Sequence, residues 1–289
     1  MALSAPTPTG DRASGRPAGA ARRPVPAWRQ TLRMTRVELL LFYRYRTAAY
    51  IAVVPLFLLF PALTLSGQDN PAGIDAGAFY TASVFILTPI TLGIMHMPNV
   101  YAARRESMLL KRYRVAGVPA SALFGATTLA VSAVVAVLCA VIAAVLVGRF
   151  GEAPADPVLL ALGIALCTVQ MCLFGALFTN LARNAESAQM ISMVPFLGML
   201  LLSGSMIPVD FLPEAVRTGL SLLPFLPAVD LVRSAYFGQD LFAGAMQAEA
   251  LGGLGLWAAS LPALLVMAVW TAIAAYLLRF FRWDPRQGG

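Results

Sequence analysis

The stretch YAARRESMLLKRYRVAGVP, residues 101–119, lies between two long apolar runs and carries six charges: Arg104, Arg105, Glu106, Lys111, Arg112 and Arg114. Apolar residues interrupt that charge, among them Met108, Leu109, Leu110 and Tyr113. The stretch is read as one helical segment outside the membrane, joining two spans. What surrounds it decides the fold. Hydrophobic residues make up 59% of the 289-residue chain and charged residues 12%. About a quarter of a soluble domain is charged, so the composition describes an integral membrane protein. The net charge of +7 sits in clusters flanking apolar runs, not in a groove-sized patch. It therefore follows the rule for membrane topology and predicts no nucleic-acid partner.

Six apolar runs are long enough to cross about 30 Å of hydrocarbon at 1.5 Å per residue. They are Thr47–Leu65, Phe79–Val100, Ser121–Val147, Val158–Leu181, Ser187–Ile207 and Leu254–Leu278. The fold class is all-α, with six transmembrane helices. Ahead of them, residues 1–27 form a basic tail rich in Pro, Ala, Gly, Ser and Arg, which lacks apolar periodicity and is expected to be disordered. Trp28–Arg46 reads as an amphipathic helix. Trp28, Leu32, Thr35 and Leu39 fall on one face and Arg29, Arg33 and Arg36 on another, as in a helix lying in the headgroup layer. Residues 283–289 form a short tail after the last span.

With both termini in the cytoplasm, eighteen Lys/Arg face inward and three (Arg149, Arg217, Arg233) face outward. That bias sets the orientation and places residues 101–119 in the cytoplasm. The external segments are acidic by contrast. Pro208 to Gly253 is too long for a turn and too interrupted to span. Pro213 and Pro227 each open a short helix and Gly238 closes the second. Asp230 and Arg233, three apart, are expected to form a surface ion pair. Two short helices that dip into, or lie on, the outer leaflet follow from this. Arg183 and Glu186 are expected to pair in the short break between the fourth and fifth spans.

No Asp, Glu, Lys or Arg falls inside the six runs. An ion-coupled transporter places ionisable groups at mid-membrane, and here only His96 approaches that role. His96 reads as an interfacial or hydrogen-bonded residue. Cys139, Cys167 and Cys172 lie in apolar runs and read as packing thiols, with no metal site and no disulfide. A phosphate-binding loop needs a lysine after its glycines. The single lysine, Lys111, has none of them. The chain is expected to bind no cofactor, and energy for uphill transport has to come from another polypeptide.

Three stretches together resemble the permease subunit of ABC transporters of the type-2 exporter class, the ABC-2 type, which includes antibiotic-efflux and polysaccharide-export permeases. The first is ARRESMLLKRYRVAGVP. Glu106, Leu109, Leu110, Lys111, Arg112 and Pro119 match the family's acidic start, Leu-rich basic helix and closing proline, with Ser107 where the family usually has glycine. The second is LARNAESAQMI, leading into the fifth span. The third is LLSGSMIPVDFLPEAVRTGLSLLPFLPAVDLVRSAYFG, with Ser203-Gly204, Pro208, Leu212-Pro213, Pro224, Pro227, Asp230, Arg233 and Gly238. The likeness runs from Trp28 to Arg282, over the transmembrane domain assigned to residues 28–282.

That resemblance implies a permease of an ATP-driven exporter in the bacterial plasma membrane. It moves a hydrophobic or amphipathic compound outward, and bears on efflux and antibiotic resistance. It implies two copies of a cytoplasmic ATPase subunit, which carry the ATP and Mg, and a second permease copy. It makes residues 101–119 a coupling helix whose partner-binding residues are Arg104, Arg105, Glu106, Met108, Leu109, Lys111, Arg112 and Pro119. It places an external gate and re-entrant region at Ser203, Gly204, Pro208, Pro213, Pro227, Asp230 and Arg233. The alternatives are a secondary transporter or channel, which would transport in liposomes alone, and a non-transporting membrane scaffold.

Overall fold

The computed structural model describes residues 26–44, 46–204 and 212–284. Most of the N-terminal tail, Pro208 and the last five residues lie outside the described residues. The architecture is all-helical apart from one short antiparallel pair, β1 (Gln239–Asp240) with β2 (Glu249–Ala250).

The centre of the fold is a 31-residue rod, Ala76–Glu106. It consists of α4 (Ala76–Thr91), a π turn (Leu92–His96) and α5 (Met97–Glu106). Asp75 caps its start, accepting from the Ala78 N–H at 3.0 Å. This satisfies an N–H that has no partner within the helix. The π turn sits where Pro98 cannot donate to the Ile94 carbonyl and its ring crowds that group. Of the rod's apolar window, 89% is buried, against 17% for the equivalent windows of α9 (Ala185–Leu202) and α12 (Leu254–Leu277). The rod is therefore the pillar, and α9 and α12 present broad apolar surface to their surroundings.

The other long helices are α7 (Ala120–Val145), prolonged by a π turn to Phe150, and α8 (Pro157–Phe178). Five helices among the described residues are thus long and apolar enough to cross a membrane. The first expected span, Thr47–Leu65, is broken. It becomes α2 (Arg46–Phe57) and α3 (Phe60–Leu65), with Pro61 opening the second piece. Pro61 lacks an N–H and its ring crowds the Phe57 carbonyl, which favours the break at Leu58–Leu59.

The amphipathic helix α1 (Ala27–Arg44) forms as expected and packs along α7. Its surface divides into three sectors, not two. Thr31, Met34, Thr35, Glu38 and Phe42 turn toward the protein, and the Thr35 hydroxyl donates to the Ala126 carbonyl at 3.3 Å. Trp28, Leu32 and Leu39, expected to share a face with Thr35, stay exposed. The basic residues Arg29, Arg33 and Arg36 remain outward.

Between α9 and α12 lie α10 (Glu214–Ser221) and α11 (Leu226–Phe237), set at 87° to each other. Pro213 caps the first, Pro227 stands in the first turn of the second, and Gly238 closes it at φ 67°. The two helices are those the sequence predicts, but α11 does not rest on a surface. All of its residues except Phe237 are buried, against α4, α8 and α12. Asp230 and Arg233 are therefore interior residues, which corrects the expected surface ion pair.

The rod's two ends collect opposite kinds of segment. One end gathers α1, residues 101–119, the Thr179–Asn184 loop and the C-terminal aromatics. There Tyr101, Phe124, Phe281 and Trp283 form a cluster with ring centroids 5.1–6.1 Å apart. The Arg282 N–H reaches Asn180 Oδ1 at 2.9 Å. At the other end, Ala155 and Asp156 donate their N–H groups to the carbonyls of Tyr236 and Ala235 at 2.9 Å. The Tyr236 hydroxyl donates to Glu152 O at 2.7 Å.

Asp156 is the joint of that second end. Its Oδ1 accepts from Val158 and Leu159, and its Oδ2 accepts from Trp257 Nε1 at 2.7 Å. Asp156→Ala removes a helix cap and the tie between α8 and α12, at a cost of about 1–2 kcal/mol. Thermal unfolding in detergent checks this. Asp156→Asn, which keeps an acceptor, is expected to lose less.

Candidate functional site

Residues 101–119 do not form one helix. Tyr101–Glu106 is the end of the central rod, Ser107 and Met108 are a break, and α6 (Leu109–Val115) is a separate helix of two turns. At the break Met108 takes φ 57°, the one left-handed non-glycine among the described residues. A left-handed methionine costs about 1–2 kcal/mol, so the surroundings must hold it there. The Ser107 N–H donates to the Ala103 carbonyl at 3.1 Å and its hydroxyl to the Arg104 carbonyl at 3.1 Å, closing the rod. Ser107 itself keeps negative φ and the reversal falls one residue later, at Met108. At its far end α6 closes with a complete Schellman motif. Val118 N–H bonds to Tyr113 O at 3.0 Å and Gly117 N–H to Arg114 O at 3.1 Å, with Gly117 at φ 74°. Glycine takes that conformation without a Cβ penalty. Pro119 then starts α7, its carbonyl receiving the Ala122 N–H.

The eight residues grouped as partner-binding in the sequence divide by exposure. Glu106, Met108, Lys111 and Arg112 are exposed. With Val115 and Ala116, the last three line a shallow depression on the outer face of α6. Leu109 is half-buried, and Leu110 is fully buried beneath it and fastens the helix. Pro119 is half-buried at the α7 start. Arg104 and Arg105 turn inward instead, at 8% and 1% exposure. Arg104 pairs with Glu38 of α1 and stands over the Tyr101 ring at 5.9 Å. Arg105 donates to the Ala182 carbonyl in the loop before α9. These two arginines are braces that tie the rod's end to α1 and to the α8–α9 loop. The cause is spacing: they fall on the rod's last turn, one side of which still faces protein.

Other groups belong to the same joint. The Tyr101 hydroxyl is hydrogen-bonded to Thr127 of α7. The α8–α9 loop that receives Arg105 is shaped by a capping box. Asn184 Oδ1 accepts from Ser187 N–H at 2.7 Å and Ser187 Oγ accepts from Asn184 N–H at 3.0 Å. That box, and not the expected Arg183–Glu186 pair, organises the loop, because Ser187 stands at the third helical position. Glu38, Tyr101 and Thr127 were not among the sequence candidates. Glu38 carried a signal: it is the only acidic residue between Asp11 and Asp69.

The residues expected to form the external gate gather around Arg233. Its Nε donates to Ser83 Oγ of α4 at 2.9 Å, and its Nη2 donates to the Gly204 carbonyl at 3.1 Å. Its guanidinium lies 4.1 Å from the Phe79 ring centroid, and Asp230 Oδ1 is 4.0 Å from Nη1. Ser203 is fully buried at the end of α9, and Gly204 follows at φ 72°. Arg233 thus links the C-terminal end of α9, the central rod and α11. Pro213 and Pro227 set the two short helices that carry it, and Pro208 lies outside the described residues.

The chain is thus a helical, multi-pass membrane protein with a basic, partly apolar helix, α6, between two of its long apolar helices. The comparison with family models gives the class its name. The ABC-2 type transporter model matches residues 26–237, and the chain belongs to that family. The match covers α1 through α11; α12 lies beyond it and packs on α8 and α11 within the same fold. Among curated proteins, none matches the chain.

Proposed function

We propose that the chain is the permease subunit of an ATP-driven exporter, carrying a hydrophobic or amphipathic compound outward across the bacterial plasma membrane. Two copies of a separate ATPase subunit supply ATP and Mg, and a second permease copy covers part of the apolar surface of α9 and α12. The end that gathers α1 and residues 101–119 faces the cytoplasm, with both termini, six spans cross the membrane, and α1 lies in the inner headgroup layer.

The observation that carries this reading is the division of residues 101–119. The outward side of α6 offers Met108, Lys111, Arg112 and Val115 to a partner, while Arg104 and Arg105 fix its base to α1 and the α8–α9 loop. An amphipathic helix seated in a partner's groove is a recurring mode of recognition. A push on α6 would then act on the rod directly through α5, and on α7 through Pro119. At the far end, Arg233 would pass the movement to Ser203-Gly204 and α11, the proposed exit gate. The proposed coupling is two-state, with α6, the rod and α11 as the parts that would move.

Lys111→Glu with Arg112→Glu tests it. The double variant inserts and purifies normally, because both side chains are exposed. Reversal sets like charges across the docking contact and is expected to reduce transport by the co-expressed complex at least about tenfold. Unaltered transport would reject α6 as the docking element. Transport by this chain alone in liposomes would favour a secondary transporter instead.

A further inference from the structure

We infer that the chain holds an anionic phospholipid, one with a phosphodiester headgroup, in the cavity between α1, the end of the central rod and α7. The inference rests on the interfacial placement of α1 proposed above and not on the docking role of α6. The cavity has a volume of about 240 Å³. That lies below the range of drug-sized sites, and suits a headgroup junction with the top of one acyl chain. Its walls are apolar: Phe42 from α1, Met97 and Val100 from the rod, Ala130 and Val131 from α7.

The polar side of the cavity is not neutral. Glu38 and Arg104 line it as an ion pair, and Arg44 lines it as well while exposed to the surroundings. Glu38 neutralises only one of the two arginines, so the three side chains leave one positive charge. A phosphodiester carries one negative charge and matches it. Arg104, which lines the cavity, also has one unpartnered donor, Nη1, which lies below the cavity surface, so that a small turn of the guanidinium would bring it to a phosphate oxygen. Leaving a buried donor unmade is costly, and a phosphate oxygen is a strong acceptor for a guanidinium.

The surroundings name the source of the ligand. Beside the cavity, α1 leaves Trp28, Leu32, Leu39, Leu40 and Tyr43 exposed, together with Arg29, Arg33 and Arg36. That is the composition of a helix lying among lipid headgroups, where basic side chains concentrate anionic lipid. The site therefore fills laterally from the leaflet in which α1 lies. A lipid seated there touches both partners of the Glu38–Arg104 brace, so it would stiffen the joint that carries α6.

The purified full chain, in a neutral detergent, tests this with three probes: dioleoyl phosphatidylglycerol, dioleoylglycerol and inorganic phosphate. Retained lipid is counted by native mass spectrometry, and the melting temperature is followed as each probe is added. Phosphatidylglycerol is expected to be retained and to raise the melting temperature; the other two probes are not. Arg44→Ala is expected to weaken retention about fivefold, the worth of one arginine at an anionic surface. Ala130→Phe fills the cavity and is expected to abolish retention. Arg149→Ala, which removes an exposed charge at the opposite end of α7 from the cavity, leaves retention unchanged. Should Ala130→Phe fail to fold, the exposed Arg44 still decides the matter. Equal retention by Arg44→Ala and the unaltered chain overturns the inference. So does equal stabilisation by inorganic phosphate, which needs no lipid, or by dioleoylglycerol, which needs no charge.

Discussion

Glu38→Ala is expected to destabilise the folded chain by about 3–5 kcal/mol, the usual cost of removing one partner from a buried ion pair. Glu38 and Arg104 are each 8% exposed, and they join α1 to the central rod across 66 residues of sequence. Without the carboxylate, the Arg104 guanidinium keeps its charge in an apolar joint where Nη1 already lacks a partner. Burial of an unpaired charge is what makes the single substitution severe. The double variant Glu38→Leu with Arg104→Met removes both charges at similar volume, and exchange of a buried pair for apolar residues is often neutral. It is therefore expected to be more stable than Glu38→Ala alone. Melting temperatures of the three purified proteins check this order. A double variant as unstable as the single one would mean that the joint depends on packing and not on charge. The pair also dictates which charges belong in a docking test: reversing Arg104 would place two carboxylates face to face inside the protein and report on folding alone.

How much of this was legible beforehand depended on range. The long helices are legible because hydropathy is a local property: each of the runs Phe79–Val100, Ser121–Val147, Val158–Leu181, Ser187–Ile207 and Leu254–Leu278 overlaps a helix long and apolar enough to cross a membrane. Helix ends marked by proline and glycine were equally readable, and Pro213, Pro227 and Gly238 stand where they were expected. The broken first run was the exception, although Pro55 and Pro61 stood in plain view. Its length and hydropathy describe one span, and proline alone does not mark the break, because Pro89, Pro195 and Pro262 stand inside continuous helices while Pro61 opens a new one. The direction in which a charge points was not legible. Arg104, Arg105, Lys111 and Arg112 are equivalent to a topology count, yet two face inward and two outward. Their fate is set by Glu38, 66 residues away, and by the Ala182 carbonyl, 77 residues away. Asp230 and Arg233 were recognised as a pair from their spacing. Their burial depends on α4 and α8 closing over α11, which no local pattern encodes.

Gly175→Ala is expected to be among the heaviest losses available to a single methyl group, about 3 kcal/mol at the upper end of overpacking costs. Gly175 of α8 crosses the central rod at the Gly93 turn. A Cβ on Gly175 would overlap the Gly93 carbonyl oxygen and come within 2.9 Å of Met97 Cβ. A Cβ on Gly93 would sit 2.5 Å from both the Met171 carbonyl carbon and its Cβ. Most of the colliding atoms are backbone, which cannot rotate away as a side-chain tip does. Small residues at a crossing let two helices approach to backbone contact, and here the crossing coincides with the π turn of the rod. Gly198→Ala provides the control, since a Cβ there meets nothing within 4 Å and alanine favours a helix. It is expected to be neutral or slightly stabilising. The double variant Gly93→Ala with Gly175→Ala is expected to cost less than the sum of its parts, because one shift of the crossing relieves both clashes. Melting temperatures in detergent settle the comparison, and a Gly175→Ala protein as stable as Gly198→Ala would refute a backbone-to-backbone crossing. The consequence for transport follows from position. The crossing lies on the rod between α6 and Arg233, so a displacement applied at one end has to pass a point where the rod cannot move relative to α8. The two helices then move as one body, and Gly175→Ala, by forcing them apart, is expected to lower transport by more than its loss of folded protein explains.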